Sequence, residues 1–164
     1  MLQDSLRRSS LAMPAMLAVL LSHSVLPPAS ARAASETGGG PAQPSTAKVE
    51  ADAYLVEISA GGPYRTGATS SVKVSLTAKA GFHINDQYPY RFNASPPAPG
   101  ISYPKPVLDR ADGQFEAKAA VFNLPFVANH AGQFPIGGVL KLSVCSPTSC
   151  IVQKAPLAVS VTVQ

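Results

Sequence analysis

The two cysteines of this chain, Cys145 and Cys150, are separated by the four residues Ser-Pro-Thr-Ser. Two thiols at this spacing can form a structural disulfide, supply half of a metal site, or exchange electrons with another protein. A tetrahedral metal site would need two further ligands, and His83 and His130 stand at no recognisable metal-binding spacing. The sequence therefore predicts no metal, and it leaves a structural disulfide and a redox-active pair as the main alternatives.

The N-terminal region predicts the compartment in which the cysteines work. Two arginines precede an apolar run at 11–21, and a small-residue tripeptide follows at 31–33. This order is typical of a secretory signal peptide, so we expect residues 1–33 to be removed on export. The apolar run is shorter than the roughly 20 residues of a membrane-spanning helix, and Pro14 interrupts it. We therefore expect no membrane span in the mature chain and an oxidised cysteine pair at rest.

Composition divides the remainder of the chain into a tail and one domain. Residues 34–47 hold almost no large apolar side chain and predict a flexible linker. Residues 48–164 have the length of one ordinary domain, which can bury a hydrophobic core without help from a disulfide. Lysines and arginines are scattered here and form no basic stripe, so we expect no nucleic-acid partner. The sequence assigns no oligomeric state.

The domain has the period-two pattern of half-buried β-strands. Apolar and polar residues alternate in four stretches, at 49–58, 72–78, 140–144 and 157–163. Turn-forming residues separate these stretches, and no long segment has helical periodicity. We therefore predict an all-β, immunoglobulin-like antiparallel β-sandwich, with a barrel as the alternative. Pro125 lies inside an apolar run and favours an edge strand or a bulge at that point.

The cysteine pair falls at the end of a predicted hairpin. Cys145 ends a strand at 139–145, and Cys150 begins the return of the chain after a four-residue turn. Facing residues of a non-hydrogen-bonded antiparallel pair have Cα atoms about 4.5 Å apart, a separation that a disulfide tolerates. A bridge across so short a loop contributes only on the order of 2 kcal/mol by the chain-entropy estimate. The residues alone thus leave the structural and the redox-active alternatives open.

Three features of the sequence resemble the N-terminal periplasmic domain of the DsbD-type thiol:disulfide interchange proteins, and more closely the short exported relatives of that domain. They are the Gly-Phe-His-Ile-Asn stretch at 81–85, the Tyr-Pro step at Tyr88, and the cysteine pair after an apolar strand. The resemblance extends over residues 50–164, which is nearly all of the predicted domain. It implies an immunoglobulin-like sandwich in which Cys145 and Cys150 alternate between dithiol and disulfide.

The resemblance also implies partners and supporting residues. Electrons would pass between this domain and a thioredoxin-like or other periplasmic thiol oxidoreductase, without a cofactor. A cap loop with aromatic side chains covers the cysteines in the family, and its candidate here is the stretch 85–92, with Tyr88 and Tyr90. Those two tyrosines are equally compatible with a buried strand face. His83 would lower a cysteine pKa if the fold brings it close, and would otherwise be an exposed strand residue.

Two departures from the family pattern bear on the predicted function. This chain ends at residue 164 without the membrane section and the thioredoxin-like domain of full-length members, so any electron donor would be a separate protein. Its cysteines are also one residue closer together than in the family's well-studied members. We predict an exported relay of the oxidoreductase type, periplasmic or alternatively secreted, more than an enzyme with its own small-molecule substrate. The competing prediction is a non-redox envelope binding or structural module with an inert disulfide.

Overall fold

A computed structural model describes residues 46–164, so the predicted signal peptide and all but the last two residues of the predicted linker lie outside the described residues. Within 46–164 the chain is all-β, with eleven strands, one short 3₁₀ helix at Arg110–Asp112 and no α-helix. In chain order the strands are β1 (Lys48–Glu50), β2 (Tyr54–Ala60), β3 (Thr69–Ala78), β4 (His83–Ile84), β5 (Arg91–Ala94), β6 (Ile101–Ser102), β7 (Val107–Asp109), β8 (Gly113–Phe115), β9 (Ala119–Ala128), β10 (Gly132–Cys145) and β11 (Cys150–Val163). No helix among these residues is long and apolar enough to cross a membrane.

The strands form two sheets, and within each sheet all neighbouring strands run antiparallel to each other. The first sheet has the order β1-β2-β3-β9-β6, and β8 also pairs with β9. The second sheet has the order β11-β10-β5-β7, and β4 also pairs with β10. Strand β10, which carries Cys145, is therefore flanked on both sides, whereas β11 lies at an edge of its sheet.

The alternating apolar residues of both sheets meet in one hydrophobic core. Val74 and Phe122 of the first sheet and Phe92 and Leu142 of the second are all fully buried. Along β3 every second residue from Val72 onward is buried, as the period-two pattern requires for a strand with one wet face. The predicted all-β, antiparallel class is confirmed.

Two local features refine the sequence prediction. The stretch 49–58, predicted as one strand, is instead the pair β1 and β2, which turn back on each other. Pro125, predicted at an edge or a bulge, lies in β9 opposite Ser71 of β3. On the other side of β9, β8 pairs with 120–122 and β6 pairs with 127–128, so the proline lies in the gap between them. The strand is locally an edge there, and a missing backbone donor is tolerated.

Strand β10 begins at Gly132, earlier than the predicted start at residue 139, because two glycines continue the strand. A Cβ atom at Gly138 would clash with the carbonyl oxygen of Asn93 on β5, and one at Gly137 would clash with the carbonyl oxygen of Leu157 on β11. The glycines therefore permit the close approach of both neighbouring strands and do not mark a turn.

The last two residues of the predicted linker are held by the sheets. The carbonyl oxygen of Thr46 accepts a hydrogen bond of 2.8 Å from the Ala158 N–H, and that of Ala47 accepts one of 2.9 Å from the Ile58 N–H. Thr46 and Ala47, which belong to the predicted linker, thus make backbone hydrogen bonds to strands of the domain. Thr46 also occupies the outer edge of β11 at Ala158.

Candidate functional site

The cysteines lie at the end of the longest strand pair in the described residues. Strands β10 and β11 pair over fourteen residues each, and the ladder ends with Cys145 opposite Cys150. In the loop, the Ser146 N–H donates to the Ser149 carbonyl oxygen at 2.8 Å. The Ser146 hydroxyl oxygen accepts from the N–H groups of Thr148 and Ser149 at 3.3 and 3.1 Å. Hydrogen bonds within the loop therefore close it independently of the cysteines.

Cys145 and Cys150 are joined in a disulfide, with their Cα atoms 4.0 Å apart. Because Ser146 and Ser149 form a hydrogen-bonded pair, and such pairs alternate along an antiparallel ladder, the cysteines form a non-hydrogen-bonded pair. The predicted disulfide is confirmed. The two cysteines differ in environment, since Cys145 is only 5% exposed and Cys150 lies in the open.

Strand β4 places His83 beside the disulfide. It pairs with β10 on the side away from β11, so that His83, Cys145 and Cys150 follow one another across three strands. Side chains that face each other in this way have Cβ atoms about 4.5–5.5 Å apart. The His83 side chain is exposed, and the Lys118 ammonium donates to the carbonyl oxygen of Phe82 one residue earlier. A protonated imidazole in this position would favour a thiolate at Cys145.

The loop between β4 and β5 is anchored on Ser143, two residues before Cys145. The Asn85 side-chain amide donates to the Ser143 hydroxyl at 3.2 Å, and the Tyr90 hydroxyl donates to the Ser143 carbonyl oxygen. The Tyr90 oxygen in turn accepts from the Asn85 N–H at 3.1 Å. Ser143 is fully buried, so these bonds satisfy polar groups that water does not reach. The loop is thereby fixed to the strand that carries the shielded cysteine.

The two tyrosines of the predicted cap have different surroundings. Tyr90 is 1% exposed, and its ring packs on Phe115 with the ring centres 4.9 Å apart. It belongs to the hydrophobic core, which is the alternative that the sequence had left open for it. Tyr88 is half-buried, meets the Tyr90 ring edge-on at 5.2 Å, and borders an open depression beside Lys141. Neither tyrosine is hydrogen-bonded to a cysteine within the part of the chain that the structure describes.

Among residues 46–164, no three His, Cys, Asp or Glu side chains converge to hold a metal ion. The acidic residues Asp109 and Asp112 lie on a connection between the two sheets, because β7 and β8 belong to different sheets. Asp109 pairs with Arg91 at 2.9 Å, and Asp112 pairs with Lys105. These carboxylates act in ion pairs on the surface.

We expect the stability of the domain to fall at alkaline pH through Tyr90. Burial raises the pKa of Tyr90 to about 12, because the ionised phenolate is poorly solvated in the core. The folded pKa lies above the ordinary value near 10. The stabilisation is therefore complete below about pH 10 and is lost as the pH rises towards about 12. Urea unfolding between pH 8 and 12 measures this loss.

The variant Tyr90→Phe serves as the control for that titration. It should lose about 1–2 kcal/mol at neutral pH, because the Asn85 N–H and the Ser143 carbonyl lose a partner. Its stability should also not show the additional decrease that the wild type shows as the pH rises from about 10 towards 12. Parallel stability curves for the two proteins up to pH 12 would contradict this assignment.

The site thus combines a disulfide between a shielded and an exposed cysteine, a histidine in register with the shielded one, and a loop fastened to the same strand. Its signals in the sequence were the cysteine spacing and the alternation around it. The pairing of β4 with β10 had no local signal, because it joins segments that are far apart in the chain. Compared with known proteins, the chain has no matching family model, no matching curated protein and no matching solved structure.

Proposed function

We propose that this chain is an exported thiol:disulfide exchange domain that relays electrons between periplasmic redox proteins through Cys145 and Cys150. The observation that carries the proposal is the unequal exposure of the two cysteines at the turn end of the β10–β11 hairpin. An exposed sulfur bonded to a shielded one gives an attacking thiolate a single point of entry. Exchange rates depend on such access to the disulfide.

The second support for exchange is that the hairpin does not depend on the bridge. The β10–β11 ladder already holds the two cysteines opposite each other, and hydrogen bonds within 146–149 close the loop. Across so short a loop the bridge adds only on the order of 2 kcal/mol. A disulfide that serves stability would do more by joining the two sheets, and this one lies within a single sheet.

The proposed reaction begins at Cys150. A thiolate of a reduced partner attacks the Cys150 sulfur, the Cys145–Cys150 bond breaks, and its electron pair leaves on Cys145 as a thiolate. A second thiolate of the partner then attacks the partner's sulfur in the mixed disulfide and releases Cys150. The partner leaves with a new disulfide, and the domain holds two thiols, so two electrons have passed to it. Reaction of Cys150 with an oxidised acceptor reverses these steps, and Cys145 resolves the mixed disulfide.

His83 has a positioning role in this scheme. When Cys145 leaves as a thiolate, a protonated imidazole on the facing strand stabilises the new negative charge. A thiol with a lower pKa leaves faster. The ordering of the β4–β5 loop on Ser143 keeps β4, and with it His83, beside β10.

The rest of the proposal follows the resemblance to the DsbD-type domain. We infer that the two sheets form an immunoglobulin-like sandwich, which their shared core and antiparallel pairings support. The predicted signal sequence at 1–33 supports export. The partners would be thioredoxin-like or other periplasmic thiol oxidoreductases. The competing function, an envelope module with an inert disulfide, is favoured only by the low exposure of Cys145.

Trapping of a mixed disulfide tests this function and the order of attack. The variant Cys145→Ser leaves an exposed thiol at Cys150 and no resolving thiol, so we expect it to hold its partner covalently. The matched variant Cys150→Ser leaves only the shielded thiol at Cys145 and should trap far less. Both are purified from the exported fraction and run on a non-reducing gel. Absence of adducts from both variants would oppose exchange, and equal trapping would oppose entry at Cys150.

A further inference from the structure

The outer edge of β11 next to the disulfide has no strand partner within residues 46–164. The Ala158 N–H points away from β10, because it donates to Thr46. Alternate residues of an antiparallel strand point their N–H and C=O groups to the same side, so those of Cys150, Val152 and Lys154 also point outward. The backbone of Pro156 also faces this outer side, so the N–H that proline lacks removes no hydrogen bond to β10. Among the described residues nothing pairs with these groups, so the segment 150–154, called the free edge below, offers them to a further strand.

The outer face of the sheet beside this free edge carries a row of cations. Lys154 on β11 faces Lys141 on β10, and Lys141 faces Arg91 on β5. Arg91 is neutralised by Asp109, whereas neither lysine has a carboxylate within 4 Å among the described residues. Like charges that face each other across strands are unfavourable. An arriving carboxylate would relieve this repulsion.

Depressions flank the free edge on both sides. On the outer face, one of about 500 Å³ is lined by Tyr88, Lys141, Lys154 and Val152, whose side chain is 57% exposed. On the inner face, one of about 370 Å³ is lined by Ile151 and Gln153 together with Tyr54, Phe82 and residues 51–53. The outer depression is cationic, and the inner one is mainly apolar. Successive side chains of an added strand would enter the two depressions in turn.

We propose that the free edge binds an extended segment of a partner protein as an added strand, and that this segment alternates acidic and apolar side chains. Backbone hydrogen bonds to 150–154 supply the binding, as in other cases of strand addition. Acidic side chains on one face meet Lys141 and Lys154, and apolar side chains on the other enter the inner depression. The five residues of the edge span about 16 Å at ~3.3 Å per residue, and Thr46 ends the site at Ala158. This binding needs no thiol chemistry.

The test uses the purified full chain and a blocked peptide, Thr-Glu-Val-Glu-Val-Glu-Thr, which contains no cysteine. Binding is measured by fluorescence anisotropy, and the site is located by amide hydrogen exchange. Strand addition predicts new protection at the outward amides of Val152 and Lys154, and little change at Ile151 and Gln153, which are already bonded to β10. Two control peptides, one with lysine in place of glutamate and one with the sequence Thr-Glu-Glu-Glu-Val-Val-Thr, should bind at least about tenfold more weakly.

Charge reversal and proline substitution separate the two parts of the proposal. The double variant Lys141→Glu with Lys154→Glu should bind the acidic peptide at least about tenfold more weakly, and the difference should depend on salt concentration. Arg65→Glu with Lys73→Glu changes the net charge equally at exposed positions elsewhere and should have little effect. Val152→Pro removes an outward donor and should abolish binding. Ser160→Pro, at the same parity on β11 beyond the free edge, should not.

Three results would overturn the inference. The lysine peptide binding as tightly as the glutamate peptide would remove the acidic specificity. Protection of every residue or of none at 150–154 would exclude an added strand. Protection of the outward amides that rises with protein concentration in the absence of peptide would show that a second copy of the chain occupies the edge. Because the peptide has no thiol, each of these results leaves the proposed exchange chemistry to be decided by the trapping experiment.

Discussion

The double variant Cys145→Ser with Cys150→Ser should remain folded and lose all thiol:disulfide exchange with thioredoxin-like proteins. The fold should persist because the core formed by both sheets does not include the bridge, and the bridge contributes only on the order of 2 kcal/mol. Exchange should vanish because a serine hydroxyl does not supply a nucleophilic anion at neutral pH. Circular dichroism and urea unfolding measure the first outcome, and the rate of oxidation of a reduced thioredoxin-like protein measures the second.

The control for the double variant is Ser146→Ala, which disturbs the same loop without touching the sulfurs. It removes the acceptor for the Thr148 and Ser149 N–H groups, so a small loss of stability is expected, while exchange should continue. An unfolded double variant would show that the bridge is structural. Retained exchange in the double variant would show that the measured activity belongs to another protein.

The variant Leu142→Ala should produce the largest loss of stability of any substitution considered. Leu142 is completely buried in β10, and removing its side chain leaves a cavity in the shared core. Such substitutions cost about 2–5 kcal/mol. Val152→Ala on the adjacent strand serves as the control, because its exposed side chain should change stability by no more than about 0.5 kcal/mol.

Urea denaturation of both variants measures these effects. Val159 lies on the core-facing side of β11 opposite Ile136 but is only half-buried, so Val159→Ala should lie between the two at about 1 kcal/mol. A Leu142→Ala midpoint equal to that of the wild type would mean that the buried face of β10 has been assigned wrongly. The same result would undermine the orientation of Cys145, because the two residues lie on opposite faces of one strand.

The features that the sequence predicted correctly depend on short-range patterns. Alternation at 72–78 and 140–144 follows directly from one buried and one solvent-exposed face, so β3 and the C-terminal half of β10 could be placed without a structure. The cysteines could be paired because four residues form an ordinary hairpin loop. In both cases the physical cause lies within a few residues of its effect.

The features that the sequence did not predict depend on long-range neighbours. Gly137 and Gly138 have the composition of a turn, yet they continue β10 because the strands on either side approach closely. Tyr90 has the same local sequence signal as Tyr88, and only the position of Phe115 and Ser143 makes it a core residue. The register of His83 with Cys145 likewise depends on a pairing between segments that no local pattern links.

The reduction potential of the Cys145–Cys150 pair tests the central claim most directly. The isolated chain is equilibrated in glutathione or dithiothreitol redox buffers, and the fractions of dithiol and disulfide are counted by thiol alkylation and mass spectrometry. Structural disulfides typically have potentials below about −300 mV, whereas exchange-active ones lie higher. The exposure of Cys150 and the small contribution of the bridge to stability predict a potential above about −300 mV. A value well below that limit would contradict the relay and identify the disulfide as a structural bond.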